Sequence, residues 1–316
     1  MSIRKIIGII IAILLMLALG ITTIITSTTS STNTLNTPSH TSTSVLNTAT
    51  PQTPATTTAS STPTSLVPHV NESIDPEALN KNIENANKNR QPCEPPAIPP
   101  LESNIDCAKE KCVALTFDDG PSAAYTPGLL DTLKAWGVKA TFFVTGKQTQ
   151  KNPHIVQRAA SEGHIIGNHT YNHPQLTRLS AEKQEEEIKA TDNEITAAKA
   201  PTTTFMRPPY GSANKTTYNI LESANKTAIL WDIDTLDWKH RDATKVRTII
   251  NENLHPGAII LMHDIHEASP KAMNCIIYDI QKADYKIVSL STLLSNNTYA
   301  GRPIYSRATV LANPKQ

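Results

Sequence analysis

Apolar positions fall into three regimes along the chain. Residues 6–25 form one uncharged apolar run behind Arg4 and Lys5, and residues 26–68 show no apolar periodicity at all. From residue 111 onward, short apolar runs alternate with segments whose apolar residues recur at helical spacing. A short apolar run bounded by turn residues reads as a buried strand, and apolar residues three and four apart read as a helix with one buried face. The predicted strands are 113–117, 140–144, 165–168, 204–207, 228–233, 258–262 and 286–290. Predicted helices lie between them: 126–136 stops at Gly137 and 153–162 stops at Gly163. A long helix opens at Ser180, with glutamates in the first turns, where the helix dipole favours negative charge. This alternation predicts an α/β fold, a parallel sheet covered by helices. About seven strand–helix units fit a barrel somewhat smaller than the eightfold kind. It occupies 111–296 and leaves 297–316 as a tail without strong pattern.

Composition changes the picture mainly ahead of that domain. A run of roughly 20 apolar residues is long enough to span a bilayer, and the cations before it stay in the cytoplasm, so the remainder is exported. Ala18-Leu19-Gly20 has the small residues of a cleavage site, but the apolar run continues through Ile21, Ile24 and Ile25. Residues 1–25 therefore read as a retained membrane anchor in preference to a cleaved signal. More than half of residues 26–67 are Ser or Thr, none is charged, and prolines are scattered through them. Such a segment cannot bury enough apolar surface to offset its chain entropy, and 26–68 reads as an extended stalk. Residues 69–110 form a polar, proline-rich lead-in, in which Asn71-Glu72-Ser73 fits a glycosylation acceptor. The net charge of +1 gives no reason to expect a nucleic-acid partner. Nothing in the sequence sets the oligomeric state. Four cysteines, Cys93, Cys107, Cys112 and Cys275, suggest one or two disulfides in an exported chain. Of the three possible pairings, one closes a small loop between Cys107 and Cys112 and leaves Cys93 to meet Cys275.

The candidate chemistry centres on Val113-Ala114-Leu115-Thr116-Phe117-Asp118-Asp119-Gly120-Pro121-Ser122. Here an apolar strand ends in two adjacent carboxylates, and a turn follows. Successive strand side chains point to opposite faces, so Asp118 and Asp119 cannot do the same job. Four more clusters follow predicted strands: His169-Thr170-Tyr171-Asn172-His173, Arg207-Pro208-Pro209-Tyr210-Gly211, Asp234-Thr235-Leu236-Asp237-Trp238 and Leu261-Met262-His263-Asp264. Each alone has an ordinary structural explanation, such as a turn, a helix cap or a core histidine. Together they supply three N and O ligands, Asp119, His169 and His173, with a position left for water, which is the pattern of a catalytic metal.

These five stretches, in this order and spacing, resemble the NodB-homology polysaccharide deacetylases, the fourth family of carbohydrate esterases. The likeness runs from about residue 111 to 294. It implies a distorted barrel and metal-assisted removal of acetyl groups from N-acetylated sugars. In that family pattern Asp119, His169 and His173 hold a divalent metal, usually zinc, with cobalt or another divalent ion as an alternative. Asp118 is the base, His263 the acid, and Arg207 orients Asp118. Asp237 orients or tunes either Arg207 or His263. The backbone N–H of Tyr210 helps hold the oxyanion, and Trp238 and Leu261 wall the acetyl pocket. Tyr210 in Arg-Pro-Pro-Tyr-Gly resembles enzymes acting on N-acetylglucosamine, so the expected partner is an N-acetylated cell-wall glycan, peptidoglycan first. Chitin oligomers are the alternative substrate, with N-acetylmuramic acid and xylan esters ranked lower. A surface protein that binds glycan without turning it over is the rival from another class.

Overall fold

The computed structural model describes residues 92–96, 105–201, 203–297 and 299–312. The predicted anchor 1–25, the stalk 26–68 and most of the lead-in lie outside them. Among the described residues no helix is long and apolar enough to cross a membrane.

The strands are β1 (Cys112–Asp118), β2 (Thr141–Val144), β3 (Ile165–Asn168), β4 (Phe205–Met206), β5 (Thr227–Ile229), β6 (Ile233–Asp234), β7 (Ile259–His263), β8 (Lys286–Ile287) and β9 (Pro303–Ile304). All pair in parallel, in the order β6-β7-β1-β2-β3-β4-β5-β9, with β8 on the start of β1. The predicted helices form as Thr126–Ala135, Pro153–Ser161 and Ala181–Ala197, and Ser180 caps the last by accepting from Lys183 N–H. β1 is buried along its whole length because both of its faces are covered. On one face Leu115, Phe117 and Met262 pack with Leu130, Leu133 and Ile277 of the covering helices. On the other, Ala114, Phe143 and Ile259 pack with Leu290 and Leu293. Each fully buried leucine contributes roughly 1.5–3 kcal/mol relative to an exposed one.

The predicted strand 228–233 is in fact two strands. Leu230 N–H donates to Ile304 O of β9, whereas Asp232 N–H donates to Ile259 O, at the first residue of β7. The chain thus changes partner within three residues. This break also fixes the shape of the sheet. β5 and β6 lie six strand positions apart, roughly 29 Å in a flat sheet at the usual spacing. The link between them spans at most about 14 Å. The sheet must therefore curl, and among the described residues no pairing joins β6 to β5 or β9, so the barrel stays incomplete. The region predicted as a tail without pattern supplies β9 on the outer edge of β5 and the helix Arg307–Ala312. Disulfides join Cys93 to Cys275 and Cys107 to Cys112, which is the pairing singled out above from the three possible.

Candidate active site

Parallel pairing brings one end of every strand to the same side, and the five clusters follow those ends. Register sets their level: in β1, Asp118 pairs with Phe143 on one flank and with His263 on the other. Asp119 leaves the strand with a left-handed φ of 75°. Its Oδ1 lies 3.3 Å from His169 Nε2 and 3.2 Å from His173 Nε2. The three ligand atoms lie within 4.8 Å of one another.

The histidines are held for lone-pair donation. His169 Nδ1 lies 2.6 Å from the Arg207 carbonyl. A carbonyl only accepts, so Nδ1 carries the hydrogen and Nε2 presents its lone pair. Burial, and next the neighbouring His169, push His173 below its ordinary value and favour its neutral form. Asp119 goes the other way. Burial alone would raise it, but the positive charge that His169, His173 and His263 carry when protonated holds it well below the usual carboxylate range. Its Oδ1 is buried with no partner in hydrogen-bond geometry, although two imidazole nitrogens stand within ion-pair reach. An orphaned carboxylate oxygen facing two lone pairs is what a divalent cation would satisfy, so these residues fit one.

The loop carrying the histidines is gripped by residues the sequence reading did not single out. Asn168 Oδ1 accepts from Thr170 N–H, and its Nδ2 donates to Ile188 O and Asp192 Oδ1. Glu187 Oε2 accepts from the N–H groups of Tyr171 and Asn172, and Oε1 from Asn172 Nδ2. Thr170 and His173 take left-handed φ values of 65° and 60°. Glu187 lies in the acidic opening of a helix, where the dipole explains it equally well, so no sequence signal marked it.

Arg207 is fully buried and gives every arm a partner. Nε and Nη2 donate to the Ile229 and Leu230 carbonyls, and Nη1 donates to Thr116 Oγ1 and, at 2.7 Å, to Asp118 Oδ1. Its guanidinium lies 4.2 Å from the centre of the Phe143 ring. Asp118 Oδ2 is left facing the cluster, 3.7 Å from His169 Nε2.

Asp237 resolves the choice the sequence left open: it sits on His263. Oδ1 accepts from His263 Nδ1 at 2.7 Å and from Trp238 N–H, and Oδ2 accepts from His263 N–H and Ser269 Oγ. Burial lowers the basicity of His263, but the hydrogen bond and charge of Asp237, with Asp118 and Asp119 behind, raise it to about 9. His263 Nε2 points back to the cluster, 4.0 Å from Asp119 Oδ2. Tyr210 and Trp238 are exposed large side chains at the rim, and the Tyr210 ring meets His173 edge-on at 4.7 Å. Leu261 is buried two residues before His263 on the same face of β7. A cleft of about 610 Å³ runs past Asp119 and His173, lined further by Ser122, Lys147, Tyr171 and Asn172.

Fold and site together define a class: a curled parallel α/β sheet with a two-histidine, one-aspartate metal-type centre at its strand ends, flanked by a buried Arg–Asp pair and an Asp–His pair. Comparison places the chain within that class. Residues 105–229 match the family model described as polysaccharide deacetylase. The chain is 37% identical over 212 residues to PgdA, a peptidoglycan-N-acetylglucosamine deacetylase of Listeria monocytogenes. That match covers 67% of this chain and 44% of the relative. It is 38% identical over 195 residues to PdaC of Bacillus subtilis, a peptidoglycan-N-acetylmuramic acid deacetylase, covering 61% and 41%. The chain thus spans less than half the length of either. A solved T48 deacetylase with substrate matches at 42% identity and a TM-score of 0.61, over 63% of this chain and 99% of that one. The chain belongs to the polysaccharide deacetylase family.

Proposed function

We propose that this chain removes N-acetyl groups from N-acetylglucosamine residues of peptidoglycan, with a divalent metal, zinc first, held by Asp119, His169 and His173. The observation that carries this reading is the convergence of Asp118 and His263 on that ligand cluster, each backed by its own buried partner. A metal held there would supply a Lewis acid that polarises the acetyl carbonyl and lowers the pKa of water.

The residues divide the remaining work. Arg207 occupies Asp118 Oδ1, leaving Oδ2 to take a proton from the attacking water. Water oxygen adds to the carbonyl carbon, with the Tyr210 N–H holding the oxyanion. As the C–N bond breaks, His263 gives its Nε2 proton to the sugar nitrogen, and acetate and a free amine leave. An amine is a poor leaving group until protonated, so His263 must begin charged, and Asp237 favours that state. Arg207 and Asp237 are positioning residues for base and acid. Trp238 and Leu261 wall the pocket for the acetyl methyl. Export to the cell wall, through a membrane anchor and stalk, fits a substrate that lies outside the cell. The similarity to PgdA supports N-acetylglucosamine, as does Tyr210 where relatives acting on N-acetylmuramic acid tend to carry Arg. The similarity to PdaC keeps N-acetylmuramic acid as the competing sugar, and chitin oligomers suit the same pocket.

Metal removal tests the chemistry against the glycan-binding alternative. Turnover is expected to vanish in chelator and return with zinc or cobalt. A protein that never turns over, yet retains glycan throughout the treatment, contradicts the reading.

A further inference from the structure

Asp264 follows His263 at the end of β7 and is fully buried, and the chemistry above makes no use of it. Its Oδ2 accepts a 2.5 Å hydrogen bond from Thr126 Oγ1, at the start of the helix Thr126–Ala135. Thr126 Oγ1 in turn accepts from Ser122 N–H at 2.7 Å. Asp264 Oδ1 is buried without a hydrogen-bond partner. The carboxyl lies against Gly120, the residue after Asp119, so closely that a Cβ on Gly120 would overlap both of its oxygens. Gly120 O also accepts from Thr145 N–H at 3.1 Å.

A buried carboxyl with a bare oxygen costs free energy that an apolar side chain of similar size would not. What the carboxyl does here, and a methyl group would not, is grip the turn at two points. It packs on Gly120 directly, and it holds Ser122 through Thr126. The backbone between those points and β1 is the backbone that carries Asp118 and Asp119. We propose that Asp264 is a positioning residue for the Asp118–Asp119 turn, fixing Asp119 Oδ1 against His169 and His173. This inference rests on the reading of those three residues as metal ligands.

Zinc affinity measured by competition with a chelating indicator, together with kcat and KM, tests it. Asp264→Ala is expected to weaken zinc on the order of tenfold, the usual scale for partners that orient a ligand from behind. It should lower kcat while leaving KM near the wild-type value, since the glycan contacts are untouched. Asp264→Asn keeps the shape and an acceptor for Thr126 and should recover most of the loss. Thr126→Val cuts the link to Ser122 and should weaken zinc in the same direction, which keeps the test decisive if Asp264→Ala does not fold. A role confined to stability predicts a lower Tm with wild-type zinc affinity and kcat in both variants, and that result overturns the inference alone. A wild-type chain that binds no zinc overturns the metal reading and this inference with it.

Discussion

Asp118 and Asp119 are neighbours in the chain and share His169, but their nearest partners differ. One carboxylate meets Arg207 and the other lies between two histidines. The same division recurs at His263, whose Nδ1 is held by Asp237 while Nε2 faces the cluster. This pair gives a signed pH prediction. With its folded value raised to about 9, His263 is protonated below that pH and loses its proton above it. A general acid there makes kcat fall as pH rises through roughly that value. Asp237→Asn removes the main raising influence and leaves the lowering effect of burial, so the alkaline limb should move to lower pH. A pH profile of kcat checks this; an unmoved limb would detach His263 from the acid role. The ligand-type residues and His263 stood out in sequence because charged and imidazole groups at the ends of apolar runs are costly unless used. The partner of Asp237 was not, because an Asp-x-x-Asp-Trp spacing does not reveal that an Asx-type bond from Leu236 N–H to Asp234 Oδ1 and a left-handed Leu236 swing Asp237 beneath β7.

Elements place these side chains through packing that leaves little room. Gly167 in β3 lies against the Phe143 ring so closely that a Cβ there would overlap it, and Phe143 in turn underlies the Arg207 guanidinium. Gly167→Ala should therefore cost roughly 1–3 kcal/mol by overpacking and also disturb the Arg207–Asp118 pair. Denaturant unfolding and kcat measured together check this, and a stable variant with normal kcat would contradict it. The loop after β3 depends on Glu187 in the helix Ala181–Ala197. Glu187→Ala is expected to weaken zinc on the order of tenfold or more, read by the same chelator competition. Strand positions were legible from apolar runs, and their boundaries shifted by only a few residues. The break at 230–232 was hidden, because an unbroken apolar run looks the same whether it keeps one partner strand or changes to another. β9 was hidden as well: a two-residue strand beginning at a proline has too few positions to show a period.

At the scale of the molecule, the curled sheet gathers five separate segments at one end, while the disulfide between Cys93 and Cys275 ties the lead-in to the helix Ala268–Lys282. That bridge closes a loop of 182 residues, which strongly restricts the unfolded chain. Replacing both cysteines by serine should cost about 2–5 kcal/mol and lower Tm, without moving residues of the site. Thermal unfolding beside kcat separates those effects. The central claim is deacetylation by this site, and one assay tests it most directly. The zinc-loaded protein and its Asp118→Asn variant are incubated with purified peptidoglycan strands and, separately, with chitin oligomers. Mass spectrometry then follows the acetyl groups. Loss from glucosamine units of peptidoglycan, absent in the variant, is the predicted result. Retention of every acetyl group on both glycans, with zinc shown to be bound, would contradict it.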